Sequence, residues 1–186
     1  MENVGQIVQE AIDLMNSGAH DAAMLPTARA IAATRAKETE AEPGELEIER
    51  FLKENWPLIT FMGMPQALPL PMNIPFALKR IVPAFNSLHG APEIISLVVN
   101  RTLQLGLMPA EFGFNSTGTF EINDGKMLLP IGLVCGLLGS VIFNPSNAGE
   151  SIGDRHWISI SDFKMFVSEL FGRKDLAERI MKFYLD

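Results

Sequence analysis

The chain has 186 residues, enough for one domain with a sizeable core and at most a small extra subdomain. Its apolar fraction, 47%, is that of a globular protein, and with 20% charged residues and a mean hydropathy of +0.17 it is greasy enough to predict a self-association surface and a homo-oligomer. The net charge is −7, with no clustered Lys/Arg footprint of a nucleic-acid binder.

The imbalance is local: residues 1–60 carry 11 acidic against 5 basic side chains, the remainder 11 against 10. Near the N-terminus, Ile7, Ala11, Leu14 and Met15 recur at the spacing of an amphipathic helix that Asn16-Ser17-Gly18 ends. A second helical pattern puts Met24, Ala28, Ile31, Ala32 and Arg35 on one face, with Pro26 expected to kink or restart it. Residues 1–37 therefore read as an αα-hairpin. An acidic linker, KETEAEPGELEIE, leads into a third helix marked by Ile48, Phe51, Leu52 and Asn55.

Four prolines at 65, 69, 71 and 75 exclude a regular helix and predict an extended apolar segment lying across the body. Residues 92–107 form the clearest helix of the second half, opened by Pro92-Glu93. The stretch 112–129 reads as a β-hairpin insert with turn chemistry at Asn115 to Gly118 and at Asn123-Asp124-Gly125. A loop at 145–154 precedes a short strand, HWISI; Ser161 is then placed as the N-cap of a helix 162–171 stopped by Gly172, and a last helix ends the chain.

The uncharged run Met127 to Phe143 decides between lipid and water. At 1.5 Å per residue it reaches only about 25 Å, short of the roughly 30 Å of a bilayer core. Residues 130–143 are read as a fully buried helix starting at Pro130, and Gly132, Gly136, Gly139 and Ser140 form a small-residue stripe for close backbone approach. The single cysteine, Cys135, falls in this run and is expected to be an inert, protonated thiol. The first residues lack the basic and apolar regions of a secretory signal, so a cytoplasmic protein that stays soluble without detergent is expected.

Chemistry is sparse. The three histidines, at 20, 89 and 156, have no partner at metal-ligand spacing, and Walker-type loops are absent, so neither metal nor cofactor is expected. Gly149-Glu150-Ser151-Ile152-Gly153 matches G-x-S-x-G in outline but lacks the strand before and helix after that a nucleophile elbow needs. The densest polar group, GESIGDRHW, makes Glu150, Asp154 and His156 candidate ligand-binding residues. Arg101 shares a helix face with Leu97, Val98 and Leu105, where a guanidinium needs a carboxylate; Glu111 is a candidate partner, and loss of a partly buried pair there would cost roughly 2–4 kcal/mol.

The segments Ala30-Ile31-Ala32-Ala33-Thr34-Arg35-Ala36-Lys37 and Arg50-Phe51-Leu52-Lys53-Glu54-Asn55 are similar to segments of bacterial helical proteins that distantly resemble HEPN-like domains. Some HEPN domains are ribonucleases that pair an Arg with a following His. Arg101 matches that Arg, but Gly106, Leu107 and Met108 stand where the His would fall, so the resemblance implies a helical fold without RNA cleavage.

The sequence thus predicts a mainly α single-domain helical bundle with a β-hairpin insert and a buried central helix. Its expected role is a non-catalytic interaction or accessory protein, with nucleic-acid and membrane partners disfavoured. The alternatives are a small-molecule binder or enzyme with a pocket near Arg101 under the Pro-rich segment, or an RNA-binding HEPN-type protein.

Overall fold

The computed structural model describes residues 3–64, 90–153, 155–160 and 163–185. The Pro-rich segment from residue 65, His89, Asp154 and Ser161 lie outside the described residues. Among those described the fold is mainly α, with six helices and two small sheets.

Helix α1, Val4–Asn16, starts at Asn3, whose side chain accepts from the Gln6 N–H at 3.0 Å. This satisfies one of the donors a helix start leaves open. Helix α2, His20–Thr39, runs unbroken through Pro26. Pro26 removes one backbone donor, and the hydroxyl of the next residue, Thr27, donates to the Ala23 carbonyl at 2.7 Å. Helix α3 is Glu45–Gly63, and α4, Ala91–Leu105, opens on Pro92 and closes on Gly106. The buried face of α4 is Ile94, Ile95, Val98, Val99 and Thr102, which leaves Arg101 at the edge of that face and Leu105 exposed.

Three strands follow: β1 Phe112–Asn115, β2 Glu121–Asn123 and β3 Lys126–Pro130, in the order β1-β3-β2. The hairpin is β2–β3. Its turn places Asp124 at φ 48° and Gly125 at φ 76°, the two positive values that a tight two-residue connection requires. Strand β1 pairs with β3 in parallel, Phe112 opposite Met127, so the insert is a hairpin with a third strand added on its far side.

Pro130 closes β3 rather than opening a helix, and α5 runs Gly132–Ile142. Most of its residues are buried, in keeping with an all-apolar sequence. The glycine stripe meets α3 backbone to backbone: a methyl on Gly132 would overlap the Gly63 carbonyl, and one on Gly136 would overlap that of Ile59. Cys135 departs from the expected enclosure, because its side of α5 reaches solvent. The protein packed about the thiol still raises its pKa, which keeps it protonated at neutral pH. No helix of the described residues is long and apolar enough to cross a membrane.

The expected helix 162–171 is instead strand β5, Phe163–Phe166, and a single 3-10 turn, Val167–Glu169; β5 pairs antiparallel with β4, Trp157–Ile160. The ladder decides the matter. Phe-Lys-Met-Phe alternates at period two, and once β4 lies alongside it, Met165 faces Ile158 on the packed side and Phe166 faces Trp157 on the outer side. Helix α6, Lys174–Leu185, ends the fold. Buried residues of all six helices, with Phe112, Met127 and Leu129 of the first sheet, form one hydrophobic cluster, and Ile158 and Met165 pack against it partly buried.

Candidate functional site

The segment 144–156 is where most of the polar chemistry collects. It leaves α5 through Asn144, makes one 3-10 turn at Pro145–Asn147, and then runs along α1. Asn147 is fully buried and works as a hub: its amide donates to the Thr34 hydroxyl at 2.9 Å and to the Val141 carbonyl at 2.8 Å, and its oxygen accepts from Lys37 at 3.3 Å. Every polar atom of that side chain is used, as burial demands.

Beyond it, three contacts tie the segment to α1 at intervals of four residues. Glu150 accepts from the Gly5 N–H at 2.9 Å and from Lys37 at 2.5 Å. The Gly153 N–H donates to Gln9 at 3.3 Å, and His156 donates to Asp13 at 2.9 Å. Gly5 and Asp13 are about 12 Å apart along the helix. Glu150 and His156 thus clasp opposite ends of α1 and do not converge on a common ligand position. Ser151 lies between them, exposed and with neither a strand before it nor a helix after it, so the G-E-S-I-G match forms no nucleophile elbow.

The electrostatics follow from these partners. Burial pushes the Glu150 carboxyl up, but the Lys37 ammonium and the N–H groups at the start of α1 outweigh it and leave the pKa below the ordinary value. His156 moves the other way: its hydrogen bond to Asp13 raises its pKa, burial opposes this, and the Gly153 carbonyl adds to the rise. Both ring nitrogens face acceptors, Asp13 at 2.9 Å and the Gly153 carbonyl at 3.0 Å, so the imidazolium satisfies both. A raised folded pKa gives stability that is fully present below the unfolded value of about 6.5 and is lost as pH rises through the folded value. Denaturant midpoints measured from pH 6 upward should therefore fall in the parent and stay flatter in His156→Gln; equal slopes in the two would show that the clasp contributes nothing.

Arg101 pairs with Glu111 at 2.9 Å, bracing the end of α4 against the start of β1. The Glu111 carboxyl is held below its usual range, most by its own backbone N–H, with partial burial opposing and the Arg101 guanidinium assisting. The pair is not deeply placed: the side chains are 32% and 40% exposed. Water screens such a pair, so Arg101→Ala should lower stability by only about 0.2–1 kcal/mol, less than expected from sequence. A loss of several kcal/mol on chemical denaturation would contradict this assignment.

The guanidinium that the fold does enclose is Arg35, which contacts Glu38 at 2.7 Å and Glu47 at 2.6 Å, with Glu54 at 3.8 Å. Its position on the apolar face of α2, one turn from Ile31 and ahead of an acidic run, was the available signal. Glu38 passes the network on by accepting from the Asn144 amide at 2.8 Å. Beside this chain of contacts lies a cleft of about 530 Å³ between α3, α5 and α6, lined by Glu38, Glu54, Glu178 and Lys174 and by Leu58 and Phe143. Arg101 and Glu111 do not line it. Among the described residues no three His, Cys, Asp or Glu side chains come together as a metal site.

Residues 103–185, short of half the chain, match the model of a family described as Rv1289. Three curated relatives align over 68 residues at 35% identity: the uncharacterized proteins Rv1289 and MT1327 of Mycobacterium tuberculosis and Mb1320 of Mycobacterium bovis. The chain is weakly homologous to these mycobacterial proteins. The aligned stretch covers 36% of this chain and 32% of each relative. The matched family and relatives are uncharacterized proteins, so they lend the resemblance to HEPN-like domains no support. No solved structure matches.

Proposed function

We propose that this chain is a single-domain, non-catalytic interaction or accessory protein of the cytoplasm. The observation that carries this reading is the outer face of the β4–β5 pair. Trp157 and Phe166 stand directly opposite one another there, 49% and 51% exposed, and Lys164 covers the Trp157 ring with its ammonium 3.6 Å from the centroid. Two large aromatic side chains held outward on paired strands, with a cation stacked on one, have the composition of the energetic centre of an interface. Strand pairing fixes their positions, so little ordering entropy is lost on docking.

Native mass spectrometry of the protein from its own host tests this against the variant Trp157→Ser/Phe166→Ser. The expected result is a bound protein in the parent spectrum that the variant loses while its circular dichroism and melting stay the same. Retention of the same partner by the variant, or a parent that carries none, refutes the reading. A second reading, a small-molecule binder, is supported by the carboxylate-rimmed cleft rather than by a pocket around Arg101. A small ligand retained in the same spectrum and lost in Glu178→Gln/Lys174→Ala would favour it.

A further inference from the structure

A groove of about 680 Å³ follows the outer side of α2 in its C-terminal half. Its floor is Ala32, Ala33 and Ala36; Leu103 of α4 and the turn Ala41 to Pro43 form its sides, with Arg29 at one end and Glu40 at the other. At 100° per residue, Arg29, Ala33 and Ala36 fall within about 60° of one another on α2. Glu40, the left-handed residue just past the end of the helix, lines the groove beyond them, roughly 16 Å along from Arg29. The line begins with a cation, ends with an anion and has methyl groups between; Lys37 flanks it, with its ammonium engaged by Glu150 and Asn147.

That order has a specific symmetry. An antiparallel copy of the same helix, related by a two-fold axis passing between residues 34 and 35, sets each residue opposite the one whose number completes a sum of 69. Arg29 then meets Glu40 of the second copy, Ala33 meets Ala36, and each contact occurs twice. A two-fold interface must be complementary to itself, and this stripe is, in both charge and bulk. Methyl groups along the seam let the two helix axes come to the short end of the usual 8–10 Å range, which brings the longer Arg29 and Glu40 side chains into reach of each other. Arg29 already contacts Glu10 at 3.6 Å, and a guanidinium has donors for both carboxylates.

From this charge-complementary groove we infer that the protein forms a two-fold homodimer in which α2 of one copy lies antiparallel in the groove of the other. The surface is distinct from the Trp157–Phe166 face, so the two readings fail separately.

Sedimentation equilibrium of the full chain in a Cys135→Ser background tests it. Arg29→Glu and Glu40→Arg should each weaken dimerisation by about tenfold or more, because each reversal places like charges together twice. The double variant Arg29→Glu/Glu40→Arg should recover it, since the pairs re-form with their signs exchanged. A mixture of Ala33→Cys and Ala36→Cys chains should form the mixed disulfide faster than either chain forms its own dimer. A parent that sediments as a monomer at every concentration, a dimer that charge reversal does not weaken, or preferential cross-linking of like variants overturns the inference.

Discussion

Gly136→Ala should cost about 3 kcal/mol or more. The new Cβ would lie 2.2 Å from the Ile59 carbonyl oxygen, and a backbone atom in the middle of a helix cannot swing aside. Relief would require α3 and α5 to move apart, which opens voids along a contact that buries Ile59, Leu133 and Leu137. Gly139→Ala is the internal control. Its Cβ would meet the sulfur and methyl of Met62, the end of a flexible side chain that can turn away, so the loss should be about 1 kcal/mol. Denaturant titration of both variants decides: equal midpoints would mean that the α3–α5 approach is looser than the geometry requires.

Arg35→Ala should lower stability by about 2–3 kcal/mol. The Arg35 side chain is 9% exposed and its pKa stands above the ordinary value, most through Glu38, with burial opposing and Glu47 adding to the rise. Its removal leaves Glu38 and Glu47 facing each other and takes away a side-chain stem packed against α2 and α3. The carboxylates themselves are 26% and 38% exposed, so water relieves part of the cost and the loss falls below that of a fully buried pair. Arg35→Lys keeps the charge but not the fork that reaches Glu38 and Glu47 together, and should lie between the parent and the alanine variant. If Arg101→Ala proved more damaging than Arg35→Ala, the ranking of the two arginines drawn from their burial would be wrong.

The helices were legible because their signals are local. Ile7 to Met15, Ile48 to Asn55 and the Gly-interrupted apolar run each carry periodicity within one window, and the stripe at Gly132 and Gly136 announced a close neighbour without saying which. The neighbour is α3, whose Ile59–Gly63 backbone has no distinguishing pattern of its own. Phe163 to Phe166 were misread because four residues fit a helix and a strand equally until the partner strand is known. Arg101 drew attention through three neighbouring leucine and valine positions, yet the buried face of α4 turns toward Ile95 and Val99 and leaves it at the rim. Arg35 and Asn147, the residues that fasten the polar network, depend on partners as distant as Glu47 and Thr34, and distance in sequence conceals such pairs. Glu150 and His156 were singled out for being polar and close together, but proximity in a loop does not imply a shared target: here they grip different turns of one helix.

The clasp along α1 has a consequence for synthesis. The carboxylate that holds the start of α1 and the imidazole that holds its end are made more than 140 residues after it, and α3 likewise waits for the glycines of α5. At roughly 5–20 residues per second, the first helical hairpin spends many seconds with its docking surfaces uncovered. Its apolar stripe must therefore be sheltered by the nascent chain itself or by a chaperone, and final docking is a late event that draws α1 and the segment around Glu150 and His156 into one cooperative unit.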